Sequence, residues 1–155
     1  MRRMRTVSWL MLGLAGLLVS VAPAAAQKKT LVVALNQDPD LLDPTLSRTY
    51  VGRIIFAHMC EKLYEIDETL RISPQLAAAL PTISDAGKTV TIKLRSGVKF
   101  NDGTAMNAEA VKFSLDRHRE MKGSNRRSEL EPVNAVEVVD SVRVAAILTS
   151  PSVTL

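Results

Sequence analysis

Hydrophobic positions along the chain fall into segments of different period. Residues 30 to 35, TLVVAL, form a short Val- and Leu-rich run that ends at NQDPDLLDP, a pattern predicting a buried strand and then a turn-rich loop. From Thr49 to Glu65 the period becomes helical: Val51, Ile55, Met59 and Leu63 recur every four residues, with Ile54 beside them. This predicts one apolar face, with Cys60 buried inside the helix and His58 next to the stripe. Asp67 and Glu68 suit a turn, residues 71 to 74 a brief extended piece, and residues 75 to 80 a helical turn stopped by Pro81. Residues 88 to 95 then alternate strictly. Val90, Ile92 and Leu94 take one face and Thr89, Thr91, Lys93 and Arg95 the other, as in a half-buried strand. Ser96-Gly97 reads as a tight turn, with Val98 and Phe100 returning, so residues 88 to 100 are expected as a hairpin. After the Asn101-Asp102-Gly103 turn, Asn107 is placed to cap a helix from Ala108 that carries Val111, Leu115 and His118 on one face and ends by Gly123. Residues 135 to 148 predict two more short strands around Asp140-Ser141. The elements are those of a mixed α/β chain.

The amino terminus has its own pattern. Arg2, Arg3 and Arg5 precede an uncharged run over residues 6 to 22, and Pro23 leads into Ala24, Ala25 and Ala26. That layout predicts a secretory signal, residues 1 to 26, cleaved after Ala26. The run falls short of the roughly 20 apolar residues that spanning a membrane requires. Cleavage also changes the charge. The full chain carries +4, but with three of its 20 basic residues gone, 17 face 16 acidic ones, a formal +1. A near-neutral mature chain gives no electrostatic reason to expect nucleic acid or anionic lipid as a partner. Its single cysteine, Cys60, excludes an internal disulfide.

Candidate chemistry is sparse. There is no GxSxG elbow, HExxH helix, phosphate-cradling glycine loop or CxxC, and the two histidines lie sixty positions apart. Asp38, Asp40 and Asp43 are close in sequence, but their spacing does not match a calcium loop, and Asp before Pro is ordinary turn chemistry. The expectation is no enzyme, no catalytic residue, no metal and no cofactor.

The stretch GKTVTIKLRSGVKFNDGTAMNAEAVKFSLDR, residues 87 to 117, resembles the signature of the family 5 solute-binding proteins of ABC importers, the peptide and nickel type. TLVVALNQDPDLLDP resembles the family's first strand and Leu-Asp-Pro loop. EKLYEID, ISPQLAAAL and VNAVEVVDS resemble three further segments. The likeness has departures. Ala105 stands where the family usually has Pro, and Ala110 where it usually has Asp or Glu, which removes a capping-box partner worth about 0.5 to 1 kcal/mol. The stretch after Asp140 looks shortened.

The resemblance implies a periplasmic binding protein-like fold, with residues 27 to 155 as part of the first lobe of a two-lobe, class II-type architecture. Its second lobe is absent, so the chain reads as a fragment or a truncated product. The implied function is a periplasmic substrate-binding component that captures peptides or similar small solutes and works as a monomer with importer membrane subunits. Capture of this kind buries the solute between two lobes, so one lobe is not expected to close on it alone. By position, the family's cleft-facing segment after Leu-Asp-Pro falls on Arg48, Thr49 and Tyr50. Main-chain groups there would meet an extended peptide, the Arg charge a carboxylate, and the Tyr ring the solute body. The signature stretch itself is implied to be scaffold. The alternative is a secreted or membrane-anchored interaction module without solute capture.

Overall fold

The structure is a computed structural model that describes residues 30–151. The expected signal at residues 1 to 26 lies outside them. The chain divides into a unit ending at Ala34 and a second unit from Leu35 onward. Residues 30 to 34 of the first form no strand, and Leu31, Val32 and Val33 are exposed. The buried strand expected there is absent because the run has no ladder partner among the described residues. Apolar composition alone does not satisfy backbone amides.

The second unit holds α1 (Tyr50–Met59), β1 (Tyr64–Ile66), β2 (Ile72–Pro74), β3 (Thr82–Ser84), β4 (Thr89–Lys93), α2 (Ala108–Glu120), β5 (Val133–Asp140) and β6 (Arg143–Leu148). Single 3-10 turns cover Asp85–Gly87 and Arg127–Leu130. Helix α1 is shorter than its apolar period predicts. Cys60 leaves the helix with extended φ and ψ of −127° and 139°, and Tyr64–Ile66 pairs with β2 instead, Tyr64 opposite Pro74 and Ile66 opposite Ile72. The turn at Asp67 decides this. Its Oδ1 accepts the Thr69 and Arg71 amides, at 2.8 and 3.0 Å, and so closes a two-stranded ribbon. Cys60 is consequently exposed rather than buried, and His58 is exposed with Nδ1 2.7 Å from the Ile54 carbonyl.

The main sheet has the order β3-β4-β6-β5, all antiparallel. Its register sets Val90 and Val136 opposite Ala146, and Ile92 and Val138 opposite Val144. These residues share one face, and Val111 and Leu115 of α2 pack with them in the core. The predicted strands flanking Asp140-Ser141 both form. The hairpin over residues 88 to 100 does not. Thr89–Lys93 pairs with β6 over five residues, and the Leu94 amide continues that line to the Val142 carbonyl at 2.8 Å. Beyond the Gly97 turn the chain pairs forward, Lys99 with Ala105, across the Asn101-Asp102-Gly103 turn. A ladder partner fifty residues downstream, offering Val144 and Ala146 to the core face, displaces the local return. The helical turn expected at residues 75 to 80 also gives way, because Ala77 is fully buried and bridges Leu94.

Helix α2 begins where predicted. The Asn107 side chain accepts the Ala110 amide at 2.9 Å, and Glu109 lies in the first turn near the positive helix end. With Ala110 in place of an acid, this single bond carries the side-chain cap.

Candidate functional site

The candidate site is the loop over residues 40 to 50, and its shape is set by two carboxylates. Asp40 gathers the entry to α1: it accepts the Ser47 hydroxyl at 2.7 Å, the Arg48 amide at 2.7 Å and the Thr49 hydroxyl at 3.0 Å. The Arg48 amide is the chief reason, ahead of the Ser47 hydroxyl, that the Asp40 carboxyl lies well below the usual carboxylate range. Asp43 builds the preceding turn. Its Oδ1 accepts the Thr45 amide at 2.8 Å, and its carbonyl accepts the Leu46 and Ser47 amides at 3.1 and 2.9 Å.

Side chains from far along the chain hold this loop in place. Arg117, near the end of α2, meets the Asp43 carboxylate with both terminal nitrogens, at 3.1 and 2.6 Å. That fork lowers the Asp43 carboxyl to about 2, its hydrogen bonds contributing most. Arg117 also donates to the Thr45 hydroxyl, which is fully buried and lies 2.9 Å from Nδ1 of His118. Burial, then the Arg117 and Arg126 charges, hold His118 below the ordinary imidazole value. From the following loop, the Asn125 amide donates to the Thr45 carbonyl and its side chain to the Leu46 carbonyl. Arg126 reaches the Ser47 carbonyl at 3.0 Å. Each carbonyl from Thr45 to Ser47 therefore has a partner from residues 125 and 126.

The three residues expected to face solute are adjacent at the exposed end of this clamp, and each is used differently. Arg48 is exposed, its Nε 2.9 Å from Asn125 Oδ1. Thr49 is the α1 N-cap, its hydroxyl accepting the Gly52 amide at 3.1 Å while donating to Asp40, so that hydroxyl is committed to the backbone. Tyr50 opens the helix with 75% of its surface exposed. Gly52 permits this packing, because a Cβ there would lie 2.2 Å from Ser47 Oγ. Asp40 and Asp43, two of the three clustered acids, are both turned to the protein's own donors, as the turn reading anticipates. Nothing local in the sequence signals the partners Arg117, His118, Asn125 and Arg126, more than seventy residues away.

A second feature not anticipated from sequence is an open apolar groove of about 890 Å³ over the main sheet. Ile66 and Ile72 of the ribbon, Ile83 and Val90 of the sheet, and Leu115 of α2 line it.

Residues 71–155, which hold β2 to β6 and the distant side chains that grip the loop, match the family described as bacterial extracellular solute-binding proteins, family 5 Middle. The chain belongs to this family. Among family 5 relatives, the glutathione-binding protein GsiB of Escherichia coli K12 is 33% identical over 141 residues, covering 90% of this chain and 27% of GsiB. Solved structures give the same picture. AgaA from A. tumefaciens R10, in complex with agropinic acid, is 32% identical with a TM-score of 0.69, over 75% of this chain and 23% of AgaA. NikZ from Campylobacter jejuni, in complex with Ni(L-His), is 31% identical with a TM-score of 0.54, over 57% of this chain and 18% of NikZ. The chain thus spans about a quarter of the length of the relatives it matches, and its fold corresponds to part of the family 5 periplasmic binding protein fold. These relatives are solute-binding proteins rather than enzymes.

Proposed function

We propose that this chain is the amino-terminal part of a periplasmic solute-binding component of an ABC importer, exported by a signal at residues 1 to 26 and monomeric beside the importer's membrane subunits. Arg48 and Tyr50, with the backbone at Thr49, form one wall of the cleft for a peptide or similar small solute. One observation carries the placement: a loop whose backbone is fixed on two carboxylates and two distant side chains leaves the Arg48 and Tyr50 side chains exposed. Such an arrangement fixes orientation before binding, which lowers the cost of ordering on contact. The Arg48 charge suits a solute carboxylate and the Tyr50 ring an apolar body. With one wall alone, capture is weak.

Calorimetry tests this with glutathione and a set of di- to pentapeptides, on the 155-residue chain and on a version extended through a second lobe. The extended protein should bind at least one solute, and Arg48→Ala in it should weaken binding about tenfold, as loss of a charge-assisted hydrogen bond implies. Binding unchanged by both Arg48→Ala and Tyr50→Ala would remove these residues from the site. Absence of any solute binding by the extended protein would remove the function.

A further inference from the structure

Arg48 is exposed, yet its side chain is tethered. A guanidinium holds its N–H donors in one plane and has two kinds of edge that pair bidentately with a carboxylate. The side-on edge includes Nε, and the end-on edge consists of the two terminal nitrogens. In this chain Nε is committed, because it donates to Asn125 Oδ1 at 2.9 Å.

The orientation of the Asn125 amide is fixed from both sides. Its Nδ2 donates to the Leu46 carbonyl, while its Oδ1 takes the Arg48 Nε–H. Arginine only donates and a carbonyl only accepts, so turning the amide over would set oxygen against oxygen and N–H against N–H. The backbone of this residue is held as well. The Asn125 amide donates to the Thr45 carbonyl at 2.9 Å. On one side, the Ser124 hydroxyl donates to the His118 carbonyl at 2.6 Å and accepts the Arg126 amide at 3.1 Å. On the other, Arg126 reaches the Ser47 carbonyl at 3.0 Å. Asn125 is thus a half-buried anchor tied both to α2 and to the loop that carries Arg48.

We propose that Asn125 is a positioning residue for Arg48: by taking Nε it closes the side-on edge and leaves the terminal nitrogens as an end-on fork, so that this wall prefers a solute with a free carboxylate over the same solute as its amide. The preference rests on the reading of Arg48 given above; the tether and the amide orientation do not. A carboxylate meets such a fork with two charged oxygens, an amide with one neutral oxygen. A tethered side chain also has less freedom to lose on contact than one hanging in solvent. The neighbouring Asp40 carboxylate is taken up by the Ser47 and Thr49 hydroxyls and the Arg48 amide.

The test has one arm without solute and one with it. In the 155-residue chain, the Arg48 Nε–H signal, assigned by its loss in Arg48→Lys, should exchange with solvent more slowly than that of the exposed Arg53 of α1. Asn125→Ala should remove the difference. Calorimetry on the extended protein then compares trialanine and glutathione with their carboxy-terminal amides. The acids should bind more tightly, and Asn125→Ala should lower that preference about two- to tenfold, the effect of one long side chain left to be ordered on binding. Arg48→Lys keeps the charge but has no Nε–H, so adding Asn125→Ala to it should leave the preference where Arg48→Lys alone sets it. Arg48 Nε–H exchange as fast as that of Arg53 overturns the proposal. So does an Asn125→Ala that weakens acids and amides alike, which is the mark of loop support alone, or one that lowers the preference equally in the Arg48→Lys protein. An acid preference untouched by Arg48→Ala, or no binding of either solute, removes the reading of Arg48 and the preference with it, and the exchange result then shows separately whether the tether exists.

Discussion

Replacing Asp43 by Asn isolates the charge in the clamp, because the amide oxygen can still accept the Thr45 amide while the fork to Arg117 loses its anion. The magnitude follows from proton affinity. Asp43 has its carboxyl lowered from 3.8 to about 2, and at about 1.4 kcal/mol per tenfold this corresponds to roughly 2 kcal/mol. The side chain keeps 28% of its surface exposed, and solvent screening there brings the figure to about 1 kcal/mol. A carboxyl depressed in the folded state contributes its stability above the unfolded value and loses it as pH falls through the folded one. Urea unfolding of the two proteins at a series of pH values should therefore show Asp43→Asn less stable by about 1 kcal/mol at pH 7. The gap should narrow below about pH 4 and close by about pH 2. A gap of the same size across the whole range would mean that the amide is misfitted and that charge plays no part. No gap at pH 7 would mean that the Arg117 fork is solvated away and does not hold the loop.

Leu94 is 2% exposed at the junction of β4, Ala77 and the core, so Leu94→Ala should cost about 2 to 5 kcal/mol, read as a lowered urea midpoint. Gly52→Ala would ordinarily strengthen a helix by up to about 1 kcal/mol; here the new Cβ meets Ser47 Oγ, so the variant should be less stable, and a raised melting temperature would refute the close approach. Asn107→Ala should cost about 1 kcal/mol, and Asn107→Asp should recover most of it, because the side-chain cap at the amino-terminal end of α2 is the bond to the Ala110 amide.

Period and capping found α2 because its determinants are local: Asn107 beside the amides it caps, and Val111 and Leu115 one turn apart. The strands flanking Asp140-Ser141 were readable for the same reason, since their turn lies between them. The pairing of β4 was not. Alternation placed Val90, Ile92 and Leu94 on one face correctly, all of them buried, but alternation does not name a partner, and the nearest apolar return is not the one that completes the sheet. Cys60 and Tyr64 were misplaced because four-residue spacing persisted through a segment that the Asp67 turn folds into a ribbon. Arg48, Thr49 and Tyr50 were taken as site candidates by position alone, and they stand at the start of α1, Thr49 as its N-cap. The groups that hold them could not be read, because a buried hydroxyl and a guanidinium seventy residues apart leave no local periodicity.

That separation alters the role of the signature stretch. By resemblance, residues 87 to 117 are implied to be scaffold; within them Val90, Ile92 and Leu94 are buried in the core, and Asn107 caps the helix that begins at Ala108. Its last residue does something else. Arg117 stands at the exit of α2 with its guanidinium on Asp43 and Thr45, so the helix that packs on β5 also fixes where the 40 to 50 loop can sit. Packing of α2 against the sheet is mainly apolar, through Val111 and Leu115, whereas the grip of its carboxy-terminal end on the loop runs through the Asp43 carboxylate, which lets go as it takes up a proton. One helix thus couples a rigid core to an adjustable contact, and the adjustment acts on the loop without requiring the core to move.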